Sequence, residues 1–190
     1  MAADTRARMI DAALAALQRR GVAGMSFTDV LHASGAARGA IYHHFPGGKT
    51  QLVTEAATRN GLDVRACLAA LPASGPRDVV DAFLATVRPI VEASAGGDGC
   101  AIAAVTASPD PDADGLRQVA ATTFASWAEA LADRLAAAGV APGEANSLAA
   151  TLIAMLEGAL VLCRAAGTVE PFEQITRTVA ALIQCRYPGT

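Results

Sequence analysis

The sequence predicts an all-α chain, with a small N-terminal three-helix unit followed by a larger helical body. Three observations carry this. Apolar residues recur at helical spacing along most of the 190 residues. Val-rich alternating runs with paired turn signals, the mark of strands, are absent. Gly35 and the Pro46-Gly47-Gly48 run bound two short helical segments near the N-terminus, and longer helical patterns follow. Hydrophobic residues make up 53% of the chain, enough for a core, and the alanine enrichment favours helix.

Met9, Ile10, Ala13, Leu14 and Leu17 give the first helix, from Thr5 to Arg20, with Gly21 ending it behind the basic pair Arg19 and Arg20. These arginines are expected to be solvated helix-end charges. Ser26 with Asp29 three residues on resembles a capping box, with Asp in place of the usual Glu or Gln, and Gly35 stops the short helix that follows. A second short helix runs from Ala37 to His44, and Pro46, Gly47 and Gly48 break the chain after it. A long helix follows from Lys49 to Leu71, with Leu52, Val53, Ala56, Leu62, Val64 and Leu68 apolar. Pro72 to Pro76 is a linker or tight turn. From Pro76, a residue that suits a first helical turn, one stripe carries Val79, Val80, Phe83, Leu84, Val87, Ile90 and Val91. Pro89 lies within that stripe and should kink it. Ala95 to Gly99 breaks the chain, Cys100 to Thr106 is a short apolar segment, and Pro109 to Asp114 reads as a loop or helix start. Three helices close the chain: Asp114 to Ala138, Pro142 to Ala166, and Pro171 to Arg186.

The bulk numbers narrow the function classes. No uninterrupted apolar run reaches the roughly 18 residues of a membrane span, and no signal-peptide pattern opens the chain. The expectation is a soluble cytoplasmic protein. Net charge is -3, but residues 1–60 carry seven Arg/Lys against four Asp/Glu, and residues 61–190 carry eight against fourteen. A basic head on an acidic body fits one polyanion-binding end. Cys67, Cys100, Cys163 and Cys185 are too far apart for a CxxC motif and read as structural thiols, with Cys100 the exception to watch.

The two short helices around Gly35 form a helix-turn-helix pattern. In such a unit the second helix lies in the DNA major groove while the first braces it. Phe27, Val30, Leu31, Ala33, Ile41 and Phe45 can bury between the helices, leaving Thr28, Arg38, Gly39, Tyr42 and His43 for DNA. Lys49 is the only lysine, and it opens a helix, where the dipole disfavours a cation by about 0.3–1 kcal/mol. A phosphate nearby would reverse that preference. Tyr42 could instead cap the small core with its ring. His43 and His44 point about 100° apart on a helix and lack an evident third partner for a metal.

The stretch from Ser34 to Lys49, Ser-Gly-Ala-Ala-Arg-Gly-Ala-Ile-Tyr-His-His-Phe-Pro-Gly-Gly-Lys, closely resembles the DNA-binding signature of the TetR family, over about residues 6–60. Gly99-Cys100-Ala101-Ile102-Ala103-Ala104-Val105 is similar to the LmrA-like branch of that family. The resemblance implies that Tyr42, His43, Lys49 and Thr28 meet the phosphate backbone. Ala37, Arg38 and Gly39 would face base edges. Arg38, the only long donor there, suits bidentate guanine recognition. His44 is assigned to packing. Leu31 stands where the family usually has alanine, and Ala37 where many members have a hydroxyl.

The resemblance sets the expected architecture. An N-terminal helix-turn-helix DNA-binding domain spans 1–48, a connecting helix 49–72, and a helical effector-binding and dimerisation domain 73–190. The middle helices would enclose a small-molecule pocket, for which Phe83, Val87, Val91, Phe124, Trp127, Leu131 and Met155 are the candidates. Few charges fall in the apolar stripes, which favours a hydrophobic effector. The last two helices would pair with those of a second copy. The body lacks a nucleophile elbow, a phosphate-binding loop, an HExxH and a spaced carboxylate pair, and no catalytic residue, cofactor or metal is expected. The reading is a ligand-responsive regulator, a repressor acting on a pseudo-palindromic DNA operator. The competing reading is a helical small-molecule-binding protein or enzyme whose helix-turn-helix is vestigial.

Overall fold

The computed structural model describes residues 2–106 and 113–188. Among these residues it is all helix, with no strand: α1 Ala2–Gly24, α2 Phe27–Ser34, α3 Ala40–His44, α4 Gly48–Ala69, α5 Pro76–Ala95, α6 Ala101–Thr106, α7 Ala113–Ala137, α8 Pro142–Ala166 and α9 Glu170–Arg186. The expected elements are all present, most within a residue or two of their expected ends. Gly21 breaks the helical dihedrals as expected, at φ 67 and ψ -176, and one further turn follows it. The loop or helix start expected at Pro109 to Asp114 lies outside the described residues as far as residue 112.

Packing divides the chain into two compact units, Met1–Leu62 with Gly99–Thr123, and Asp63–Asp98 with Phe124–Thr190. The expected breaks at 48 and 72 therefore mark elements along the chain, while the packed units are divided elsewhere. In the first unit α1 packs on both α2 and α6. Met9, Ala13 and Leu17 of α1 are fully buried, as are Val30, Phe45, Leu52, Val53, Ile102 and Val105. The Gly99 N–H donates to the Gln18 carbonyl at 2.8 Å, which ties the start of the 99–123 segment to α1. Val53, Ala57, Gly61 and Leu68 follow one buried face of α4. Leu62 lies about 100° off that face and is exposed, against expectation. Ala33, also expected to bury, is exposed.

In the second unit α5 packs on α8 and α9, and α8 packs on α9. Val79, Val80, Phe83, Val91, Leu131, Leu135, Leu152 and Cys163 form its centre. The buried Ser94 hydroxyl donates to the Leu160 carbonyl at 2.7 Å, pinning α5 to α8. Arg134 Nε donates to the Leu71 carbonyl at 2.7 Å. α5 continues through Pro89 as a single helix, and Ile90, expected within its stripe, is partly exposed. Cys67 and Cys185, read as structural thiols, are exposed, while Cys163 is buried. Cys100 sits just ahead of α6, where its Sγ accepts the Ala103 N–H at 3.4 Å in the manner of a helix cap.

α8 holds a strongly apolar stretch, of a kind that core helices of soluble proteins also carry. An 18-residue window in it has mean hydropathy 1.8 and is long and apolar enough, by length and composition, to cross a membrane. The sequence reading required an unbroken apolar run, whereas a few polar residues leave the mean high. Only 33% of that window is buried within the chain.

Glu144, in the first turn of α8, accepts from Arg186 Nε and from the Tyr187 hydroxyl, each at 2.8 Å, on the same oxygen. The hydrogen bond from Arg186, and then that from Tyr187, hold the Glu144 carboxyl below its ordinary 4.5. A carboxyl with a depressed folded value stabilises the fold above its unfolded value, and that stabilisation is lost as pH falls through the folded one. The expected outcome is an acid limb in the urea-unfolding midpoint, beginning near the ordinary carboxyl value, that Glu144→Gln flattens.

Candidate nucleic-acid interface

α2 is fixed at both ends. Ser26, extended at φ -117 and ψ 151, accepts the Asp29 N–H on its hydroxyl at 3.2 Å. Only this half of the expected capping box forms among the described residues, with no return bond from the Ser26 N–H to the Asp29 carboxylate. The Asp29 carboxylate instead meets Arg20 at 3.1 Å, so Arg20, expected as a solvated charge, braces α1 against α2. At the other end, Gly35 takes the left-handed conformation, φ 65 and ψ 22. Its N–H reaches the His32 carbonyl and the Ala36 N–H reaches the Leu31 carbonyl, a Schellman cap that a residue with a Cβ would resist. Arg8 Nε donates to the last carbonyl of α2, Ser34, at 3.0 Å.

The chain then crosses to α3 through Ala37, Arg38 and Gly39. The Ala40 N–H closes a tight turn onto the Ala37 carbonyl at 2.9 Å. The recognition helix expected from Ala37 is therefore only Ala40–His44, preceded by a turn. Gly39, which costs a helix interior about 1 kcal/mol relative to alanine, and the lack of any side-chain cap disfavour the extra turn. α3 has two faces. Ile41 is 1% exposed and the adjoining Phe45 0%, while Tyr42 is 66% exposed.

The Arg6 guanidinium stands over the Phe45 ring, 5.1 Å from its centre, and pairs with Glu55. Glu55 also accepts from Gln51 at 2.9 Å, and Gln51 in turn accepts the Gly47 N–H at 2.8 Å. This chain fastens the turn behind α3 to α1 and α4. Its members lie up to 49 residues apart, which spacing arguments do not reach.

Thr28, Arg38 and Tyr42 come together around one open concavity of about 620 Å³, with Phe27, Leu31 and Ile41 among its lining residues. Ala37, Gly39 and His43 are exposed on the same short segment. Lys49, half-buried in the first turn of α4, does not line the concavity. His44 is half-buried, its ring 5.1 Å from that of His43 and 6.4 Å from that of Phe45. Among the described residues, Arg38 and Lys49 meet no acidic partner, whereas Arg6, Arg8, Arg20 and Arg59 each do.

The pocket candidates lie in the second unit. Phe83, Val87 and Met155 line a cavity together with Leu84, Leu152, Leu156, Phe172 and Ile175, which the sequence reading did not single out for it. Its volume is only about 10 Å³, room for one water at most. Val91 and Leu131 are fully buried elsewhere, and Trp127 is nearly so, with Phe124 edge-on to it at 5.3 Å.

Phe45→Ala should remove the anchor of α3 at a cost of about 3–5 kcal/mol, as for other buried aromatic truncations. The expected result is early loss of hydrogen-exchange protection in α3. The fluorescence of Trp127, which reports the second unit, should keep its native spectrum under the same conditions.

Residues 9–56 match the family model described as bacterial regulatory proteins, tetR family, and residues 76–178 that of the LmrA/YxaF-like transcriptional regulator C-terminal domain. The chain is 34% identical over 188 residues, 96% of each chain, to the uncharacterized HTH-type transcriptional regulator Rv0196 of Mycobacterium tuberculosis. It is 25% identical over 185 residues to the HTH-type transcriptional regulator LmrA of Bacillus subtilis, covering 95% of this chain and 97% of that one. Among solved structures, a TetR transcriptional regulator of Chloroflexus aurantiacus is 27% identical, with a TM-score of 0.77 and 96% of each chain covered. One from Legionella pneumophila, at 21% identity, shares the fold with a TM-score of 0.80, covering 92% of this chain and 95% of that one. With a helix-turn-helix whose outer face is open and relatives that are regulators rather than enzymes, this chain belongs to the TetR family of transcriptional regulators, with a C-terminal domain of the LmrA/YxaF-like type.

Proposed function

We propose that this regulator is a cytoplasmic homodimeric repressor, released from a pseudo-palindromic operator when a small hydrophobic effector binds its C-terminal helices. One observation carries the DNA reading. The short helix that buries Ile41 beside Phe45 holds Tyr42 two-thirds exposed over the concavity it shares with Thr28 and Arg38, and Arg38 has no acidic partner among the described residues. In this reading Arg38 reads a base edge, with Ala37 and Gly39 letting the backbone approach. Tyr42, His43, Thr28 and Lys49 hold phosphates.

Dimer formation is supported by apolar side chains left exposed on the last two helices: Val161 at 68% and Leu162 at 52% on α8, and Leu182 at 63% on α9. A second copy laid on this face would cover them and present two recognition helices about 34 Å apart, one turn of duplex. The effector class rests on the apolar side chains around Phe83, Val87 and Met155. Phe124, Trp127, Leu131 and Val91 complete the proposed pocket once it opens. Release then needs only that the effector bind one state of the dimer more tightly than the other.

Arg38→Ala should weaken binding to a duplex selected from a random pool by about 1–3 kcal/mol and relax base preference at one position of each half-site. Tyr42→Phe should weaken binding by about 1 kcal/mol for all sequences alike, since a phosphate carries no base identity. Titrations at several salt concentrations check both, and undiminished affinity in both variants would remove α3 as the DNA reader.

Leu182→Glu combined with Val161→Glu should convert the dimer to monomer in sedimentation velocity while leaving helicity intact. A dimer that survives both charges would place the partner surface elsewhere.

A further inference from the structure

We propose that Phe27 is the positioning residue for Tyr42, so that the ring beside it sets the strength of the contact its hydroxyl makes. The inference rests on the reading of Tyr42 as a phosphate donor.

The two rings meet edge to face, with centroids 5.8 Å apart and planes at 86°. Tyr42 is 66% exposed, and among the described residues its hydroxyl has no hydrogen-bond partner and its ring no other aromatic neighbour. An exposed tyrosine without such contacts would sample several rotamers, and binding would have to select one. The Phe27 ring biases that choice before DNA arrives.

Phe27 itself does not wander. It is the first residue of α2, directly behind the Ser26 cap, and the Arg20–Asp29 pair holds the same turn. Its role differs from that of Val30, which lies one turn further along α2 and is fully buried. Phe27 is half-buried and lines the concavity beside Thr28 and Tyr42. The polar clamp on α2 therefore passes through one aromatic ring to the phenol of α3. An aliphatic side chain of similar bulk would keep the apolar contact but lose the ring quadrupole that favours the edge-on geometry.

The test is a double-mutant cycle on the selected duplex, using the full chain and the variants Phe27→Leu, Phe27→Tyr, Tyr42→Phe and Phe27→Leu with Tyr42→Phe. Phe27→Leu should lower affinity about two- to fivefold, no more than Tyr42→Phe itself, since the positioning effect is bounded by what the hydroxyl contributes. Phe27→Tyr, which keeps the ring, should restore most of it. In the Tyr42→Phe background, Phe27→Leu should cost less than about twofold, because the hydroxyl that needed positioning is gone. Tyr42 χ1 couplings in the DNA-free protein should average over rotamers on Phe27→Leu and stay near wild type on Phe27→Tyr, a signature of lost positioning. If the full Phe27→Leu loss persists in the Tyr42→Phe background, Phe27 acts through packing and the inference is overturned. If Tyr42→Phe alone binds like wild type, the phosphate reading of Tyr42 fails first, and that outcome is distinct from additivity.

Discussion

The burial of Phe45 under the Arg6 guanidinium is the constraint on which the DNA-facing surface depends. α3 has five residues, far below the roughly 12–15 that an isolated helix needs for even marginal stability in water. It has no side-chain cap at its start. Its geometry must come from tertiary contacts, which buried Ile41 and the adjoining Phe45 supply. Arg6 covers the ring, Glu55 holds Arg6, Gln51 holds Glu55, and the Gly47 N–H holds Gln51. The turn that follows α3 is thus tied into α1 and α4 before any ligand is present. A recognition element this short is held in shape by its neighbours, which spares it the cost of ordering on the duplex.

The same economy governs charge. Arg6, Arg20 and Arg59 of the first unit each face an acid on another helix and fasten the two together, while Arg8 pairs with Asp4 within α1 and reaches the Ser34 carbonyl of α2. Most of these pairs are well exposed, so each contributes little stability alone. Their value is in fixing directions, as Arg20 does for the first turn of α2. Arg38 and Lys49 meet no acid among the described residues. The mild positive excess of residues 1–60 is therefore concentrated in side chains that have no internal task.

Much of this was legible in the sequence, because helical periodicity and punctuation are local signals. Gly35, Gly139 and Gly167 mark helix ends by residue type alone, and the Tyr42 environment follows from alternation with Ile41. Two kinds of feature were not legible. The start of α3 depends on a missing cap, and the sequence pattern ran the helix on through Ala37 because alanine favours helix wherever it stands. The Arg6–Phe45–Glu55 chain and the Arg20–Asp29 pair join residues distant in sequence, so no spacing rule could find them. Leu62 and Ala33 were misplaced for a related reason: periodicity identifies an apolar stripe but not which edge of it the neighbouring helices cover.

The second unit raises a different question, since the cavity beside Phe83, Val87 and Met155 is nearly closed. On the proposed reading, an effector cannot simply fill the space beside Phe83, Val87 and Met155, which admits one water at most. Opening a void of about 150 Å³ in a packed core costs about 3–4 kcal/mol at roughly 24 cal/mol per Å³. The open arrangement is then well under 1% populated without effector, since each 1.4 kcal/mol is about a tenfold ratio. A hydrophobic ligand recovers that cost by restoring the lost contacts, and so binds almost entirely to the open arrangement. That differential affinity is the whole requirement for a switch. A roomier pocket would bind more tightly and signal less, because the effector would then favour neither arrangement of the helices around it.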